Sequence, residues 1–334
     1  MKKKFDLVFL VDSGIGNAIQ TLYSLEYLLR LKVDAAIFLG GINHSFQNYL
    51  RTCYGDAILG SIEDVQSKHL IHGFTYQKTA FPSYEYYYYV NADFHAAQHA
   101  SETEQFLHLV KGIYPGGEVV EHLQMLKGSE SEEIKNLKAA NKVVLYPGGS
   151  SVNSAKRWPH FKALMKKIGV DQTIIIGGKD DLNFEMSYVY PNWLASFLPQ
   201  SILNQKTLWK FFKKIGLLKK HAHWNGLEQL PNSYIEQFSW AELAALFKSA
   251  KQFIGNDGGL MHLAAAVGLS GKVFYGPTSS KKNKPFFSKM EVITSDLSCS
   301  PCQFGVGGIQ MTKEYINCPF NVACLRNISI DTVS

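Results

Sequence analysis

One pattern limits how this chain can fold: an apolar run, a glycine turn and an amphipathic helix, written once in each half. Phe5 to Val11 is an apolar run interrupted only by Asp6, followed by Ser13-Gly14-Ile15-Gly16-Asn17 and a helical pattern from Ala18 to Leu31. Leu22, Leu25, Leu28 and Leu29 recur there at helical spacing. Ala35 to Leu39 is a second short strand, ended by Gly40-Gly41. Strand, glycine loop, helix and strand make the unit of a parallel α/β sheet. The rhythm restarts at Lys142 to Tyr146, with Pro147-Gly148-Gly149-Ser150-Ser151 after it and a helix over Trp158 to Ile168. It continues with strands over Gln172–Ile176, Gln252–Ile254 and Lys272–Tyr275, and helices over Trp240–Ala250 and Gly258–Val267. The expected fold class is α/β, two similar halves facing across a cleft, with ligands at the carboxyl ends of the strands.

Length agrees. A chain of 334 residues, 46% hydrophobic and 19% charged, suits two domains with packed cores and excludes disordered and fibrous classes. Residues 126–141 are polar and carry a charge run, so a surface helix or linker is expected there. The domains are placed at 1–135 and 142–334. No apolar run approaches the roughly 18 residues of a membrane span. Met1-Lys2-Lys3-Lys4 and the run to Val11 imitate a signal peptide, but the run stops at Asp12 without a small-residue cleavage site. The expectation is a buried first strand in a cytoplasmic protein. A net charge of +6 suits anionic small molecules or acidic surfaces; without basic stripes it does not suggest nucleic acid.

Residues 187–232 fit the rhythm less well. Leu208, Phe211, Phe212, Ile215 and Leu218 share one helical face, and Lys206, Lys210, Lys213 and Lys214 the other. This reads either as a surface helix with a solvated lysine face, or as a basic amphipathic contact with an anionic membrane surface. The run Tyr86 to Tyr89 is expected to span both faces of a strand.

Two segments carry anion chemistry. In Ile254-Gly255-Asn256-Asp257-Gly258-Gly259-Leu260-Met261-His262 a strand ends at Asn256 and a helix begins near Gly258. The first-turn N–H groups of such a helix are unsatisfied and sit at the positive end of its dipole. Gly258 and Gly259 let a phosphate approach the backbone, and His262 can donate to it. Asp257 is read either as part of that site or as a helix cap. In the second segment, Ser150 and Ser151 follow a glycine turn, with Lys156 and Arg157 just before a helix whose first turn Pro159 marks. Hydroxyls, amides and a lysine together suit a diphosphate.

GNDGGLMHLAAAVGL, PGGSSVNSAKRWP and Gly276-Pro277-Thr278 resemble the donor-domain motifs of glycosyltransferase family 9, the ADP-heptose heptosyltransferases of lipopolysaccharide core synthesis. Gly14-Ile15-Gly16-Asn17 resembles that family's first loop. The likeness covers the second half well, apart from 187–232, and the first half thinly. It implies two Rossmann-like domains in a GT-B type fold, acceptor on the N-terminal side and nucleotide sugar on the C-terminal side. By position it implies that Ser150, Ser151 and Lys156 contact the diphosphate, and that Asp257, Gly258, Gly259 and His262 hold sugar and phosphates. Where Gly258 stands, the family more often has Thr. Asp180, Asp181 and Glu185 are candidates for the ribose or adenine.

The family's general base is an Asp directly after the first-loop glycines; this chain has Asn17. An amide cannot take a proton from an acceptor hydroxyl at neutral pH. Three readings stay open: Asp12 serves instead (or is only a turn cap); His44, Asp93 or His95 serves; or the protein is an inactive binder. Gly14 and Gly16 remain as a loop near the acceptor.

Four of five cysteines lie near the end, Cys299, Cys302, Cys318 and Cys324, spaced C-x2-C-x15-C-x5-C. A close pair plus a second pair can complete a tetrahedral thiolate site, structural iron or zinc, the alternative being buried reduced thiols. The first three spacings resemble those of the bacterial autotransporter heptosyltransferases, which bind iron this way and assemble into rings, so an oligomer is compatible with them. Cys53 is expected in the core. The resemblance thus implies inverting, catalytic-metal-independent transfer of heptose from ADP-heptose to a lipopolysaccharide core or other glycan. Protein O-heptosylation with structural iron and an inactive nucleotide-sugar binder are the alternatives, and a cytoplasmic protein in peripheral contact with the inner membrane is compatible with the resemblance.

Overall fold

A computed structural model describes residues 3–11, 14–62, 65–73, 84–90, 101–149, 156–181, 187–189, 191, 194, 197–198, 206–221, 227, 230–302 and 322–333. The first sheet contains β1 (Lys3–Val11), β2 (Ala35–Leu39), β3 (Ile58–Leu59), β4 (Val65–Gly73) and β5 (Tyr84–Val90), in the order β3-β2-β1-β4-β5. All its pairings are parallel, with Leu10 opposite Phe38 on one side and His72 on the other. A central parallel strand is covered on both faces, which is why Leu7 to Val11 are all buried and apolar without alternation. Helices α1 (Ile15–Arg30), α2 (His44–Tyr54) and α3 (Glu102–Ile113) accompany this sheet. A reciprocal Ser101–Glu104 capping box starts α3.

After the short α4 (Glu132–Asn136), the second sheet contains β6 (Val143–Tyr146) and β7 (Thr173–Gly177), with α5 (Phe161–Ile168) between them. Strands β8 (Ser187–Val189) and β9 (Lys219–His221) pair antiparallel as a separate ribbon, and α6 (Lys206–Lys214) lies between them in sequence. Then come β10 (Ser233–Ile235), α7 (Trp240–Ser249), β11 (Gln252–Asn256), α8 (Gly259–Ala266), β12 (Gly271–Phe274), α9 (Ser280–Asn283), β13 (Met290–Ile293) and α10 (Ala323–Arg326). The main sheet runs β10-β7-β6-β11-β12-β13, again all parallel. These are the two Rossmann-like halves that the sequence pattern implies.

The halves share one hydrophobic core. It runs from Leu7, Ala18, Leu22 and Leu25 of the first half to Leu246, Met261, Ala264 and Ala265 of the second, and α1 packs on α8. The polar segment 126–141 is not a loose tether. Lys248 Nζ donates to Leu126 O at 2.7 Å, Tyr49 Oη to Lys127 O at 3.0 Å, and Ser129 N to Ala241 O at 3.0 Å. Just before it, the buried Glu26 accepts from Gln124 N and Met125 N and from Tyr54 Oη. Cys53 lies in the core as expected. Several element ends shift by a few residues from expectation, most of all two helix starts: α1 begins at Ile15, and α5 begins at Phe161, so Pro159 stands in the turn before the helix.

Candidate functional site

The carboxyl ends of β6 and β11 bring the two anion-type segments together, and the residues between them explain how. Asn256, last in β11 and fully buried, donates from Nδ2 to Pro147 O at 2.7 Å and Gly148 O at 2.9 Å. Its Oδ1 accepts from Trp158 N at 3.0 Å. Trp158 is buried, stacks on Phe274 at 4.1 Å and donates from Nε1 to Ile328 O. Arg157 is not the surface base its composition suggests. It is buried and donates to Asp181 Oδ1 at 2.7 Å and Gly149 O at 2.8 Å. Asp181 also accepts from Gly149 N and Gly178 N. A Cβ on Gly148 would overlap its carboxylate, so glycine is required where this brace passes. Asp181 is therefore a clasp between two strand-end turns, its acceptor sites turned inward and not towards a ribose. Arg157 and Trp158 pin the loop, and Lys156 is left pointing at Asp257.

Lys156 Nζ stands 2.9 Å from Asp257 Oδ2, with side chains 16% and 4% exposed. Asn283 Nδ2 donates to the same oxygen at 3.0 Å. Burial opposes the charge on Asp257, but Lys156, His262 and the Thr278 hydroxyl outweigh it and hold the carboxyl below its ordinary range. Asp257 does not cap α8: the N-cap is Gly258, which makes no side-chain cap bond. His262, one turn in, is buried, and desolvation lowers its pKa to about 4, so it is a neutral imidazole at pH 7.

The glycine loop of the first half closes against this helix. A Cβ on Gly16 would lie 2.8 Å from His262 Cδ2, and one on Gly259 would lie 3.2 Å from Ile15 Cβ. Gly258 is held against the Tyr146 ring in the same way, at 3.0 Å. Glycine at 16 and 259 thus serves the contact between the halves as well as access to backbone amides. Gly14 is the exposed N-cap of α1, and Asn17 stands half-buried in its first turn.

A third buried ion pair, which no motif announced, crosses the halves beside Lys156 and Asp257. Lys282 Nζ of α9 lies 2.7 Å from Glu102 Oε1 of α3, with side chains 9% and 2% exposed. Gln20 of α1 donates to Glu102 Oε2 at 2.9 Å. Burial pushes the Glu102 carboxyl up, with Lys282 pulling the other way. The neighbours Lys282 and Asn283 thus link Glu102 on one side to Asp257 on the other. Buried charges of both signs, gathered where β11 ends and the two halves meet, make this the candidate functional site.

Asp12, Ser150, Ser151, Asp93, His95, Glu185 and Cys318 lie outside the described residues. His44 is exposed at the first position of α2. Cys302 and Cys324 are buried and Cys299 is half-buried. Their two segments converge on Gly276, whose carbonyl accepts from Ser300 Oγ at 2.6 Å and whose ideal Cβ would stand 3.0 Å from Cys324 Sγ. Among the described residues no group of three or more His, Cys, Asp or Glu comes together to hold a metal.

The fold is of the GT-B glycosyltransferase type, with the charged cluster between two Rossmann-like halves. The resemblance to glycosyltransferase family 9 is shown in the second half, where the model of "Glycosyltransferase family 9 (heptosyltransferase)" matches residues 228–306, which include Asp257 to His262 and Lys282. The glycosyl transferase family 9 structure from Veillonella parvula has TM-score 0.56 at 15% identity, over 99% of this chain and 94% of that one. ADP-heptose lipopolysaccharide heptosyltransferase II of E. coli has TM-score 0.55 at 14% identity, over 98% and 95%. The dodecameric iron-containing heptosyltransferase TibC, from enterotoxigenic E. coli and solved with ADP-D-β-D-heptose, has TM-score 0.58 at 14% identity, over 100% and 76%. No curated protein matches by sequence.

Proposed function

We propose that this protein is an inverting glycosyltransferase that uses a nucleotide-diphosphate sugar, with ADP-heptose the leading donor and a lipopolysaccharide core or other glycan the acceptor. The observation that carries the reading is the Lys156–Asp257 pair at the uncapped start of α8, facing the Gly14–Gly16 loop of the opposite half. Residues 1–135 serve the acceptor and 142–334 the donor. Lys156, the first-turn amides at Gly258 and Gly259, and the hydroxyls of Ser150 and Ser151 hold the diphosphate. Asp257 holds Lys156 in place and bonds the sugar. His262, neutral, donates one N–H.

In the reaction an acceptor oxygen attacks the anomeric carbon as the bond from that carbon to the phosphate oxygen breaks. The electron pair of that bond leaves with the diphosphate, where the lysine and the helix amides offset the growing charge. The acceptor proton passes to a base, for which Asp12, directly after β1 in the sequence, is the candidate. No catalytic metal takes part. Turnover of ADP-heptose by the intact chain, compared with Lys156→Met and Asp12→Ala, tests the assignment. Transfer lost in Lys156→Met but unchanged in Asp12→Ala keeps the donor site and removes that base.

Asn17 at the base position favours a second reading, an inactive binder of the same donor. The convergence of both cysteine segments on Gly276 favours a structural iron or zinc on Cys299, Cys302, Cys318 and Cys324, and with it transfer to a protein acceptor. Less than about one-tenth equivalent of either metal in purified protein would remove that site.

A further inference from the structure

We propose that α6 is a docking element for an anionic lipid surface. Its sequence is KTLWKFFKK, with no acidic residue. A surface helix ordinarily turns its apolar side chains inward. Here Leu208 and Phe212 are only half-buried, while Phe211 is 53% exposed and Ile215, just past the helix end, is 49% exposed. Among the described residues, six large apolar side chains are exposed, and three of them, Phe197, Phe211 and Ile215, fall in the 187–232 segment. The apolar exposure is thus concentrated in the one stretch that breaks the α/β rhythm.

Charge selects the occupant. Lys210 and Lys214 stand one turn apart beside the Phe211–Ile215 edge, with Lys213 next along the helix surface, and all three are exposed. Long lysine stems let ammonium groups reach phosphate while neighbouring apolar groups enter the acyl boundary. A zwitterionic or uncharged apolar partner would offer Lys210 and Lys214 no counter-charge. An anionic bilayer supplies negative charge over the whole width of the helix and an apolar layer beneath it, and each lysine near such a surface contributes roughly a fivefold factor. No helix among the described residues is long and apolar enough to cross a membrane, so the contact is peripheral. It does not rest on the glycosyltransferase reading, since it needs only α6 and its flank.

The test is co-sedimentation of the full chain with sucrose-loaded vesicles of phosphatidylcholine alone, or with about 30% phosphatidylglycerol, at low and high salt. Binding is expected only to the anionic vesicles and is expected to weaken with salt. Phe211→Ser with Ile215→Ser, and separately Lys210→Glu with Lys214→Glu, are each expected to weaken it at least about tenfold. Unchanged melting temperature and circular dichroism show that the variants are folded. Equal binding to both vesicle types, no binding to either, or full binding by both folded variants would overturn the proposal. Donor affinity measured on the same variants stays at the wild-type value, which separates loss of docking from damage to the donor site.

Discussion

Gly16 lies against the imidazole of His262, so close that a single methyl group on Gly16 would stand 2.8 Å from Cδ2. One residue belongs to the first loop and the other to the helix that starts at the candidate donor site. The contact therefore sets how near the two halves approach. Gly16→Ala is expected to cost roughly 1–3 kcal/mol, as overpacking of a buried site does. His262→Ala in the same chain should recover most of that loss in urea unfolding. An additive double variant would show that the glycine is required for another reason.

His262 also predicts a dependence on pH. Its folded pKa is about 4 against an unfolded 6.5, so below pH 6.5 the unfolded chain binds the proton first. Stability contributed by the neutral imidazole is complete above about 6.5 and is lost progressively down to about 4. That shift amounts to roughly 3 kcal/mol at full extent. The lowered Asp257 adds loss of stability at more acidic pH, while the raised Glu102 opposes it. The comparison is therefore with His262→Gln, whose melting temperature should fall less between pH 6.5 and 4 than that of wild type.

Glu102 and Lys282 form a buried pair across the halves. Glu102→Gln or Lys282→Met alone strands a charge and should cost roughly 3–5 kcal/mol. Glu102→Gln with Lys282→Met removes both charges and should cost much less than the sum. A double-mutant cycle in urea measures the coupling, and a coupling near zero would mean that the pair is not formed in solution.

Asn17 presents an amide in the first turn of α1 where a base is expected. If Asp12 is the base, Asp12→Ala should lower transfer by about 10²-fold or more with donor affinity kept. Asn17→Asp should then add little. If wild type is inactive and Asn17→Asp gains turnover, the protein is a binder whose site still supports the chemistry.

The sheets were legible in the sequence because strands buried on both faces are apolar throughout and end in glycine turns, as Leu7–Val11 and Val143–Tyr146 do. Lys156 and Asp257 were legible because their segments carry small residues and charges together. Arg157 and Asp181 were not, since a cation in a polar loop reads as surface until its partner, 24 residues on, is known to be buried against it. The Glu102–Lys282 pair depends on contact between halves separated by 180 residues, which no local period encodes. Helix α6 was legible as amphipathic, but only the structure shows that part of its apolar side stays in water.

The central claim is that Lys156 and the start of α8 hold a nucleotide-diphosphate sugar. Thermal denaturation of the intact chain in rising concentrations of ADP-heptose, with other ADP- and UDP-sugars alongside, tests it most directly. A ligand that binds only the folded form raises the melting temperature with its concentration. The account predicts such a rise with ADP-heptose for wild type, and its loss in Lys156→Met. No response to any nucleotide sugar, or an equal rise in Lys156→Met, would contradict it.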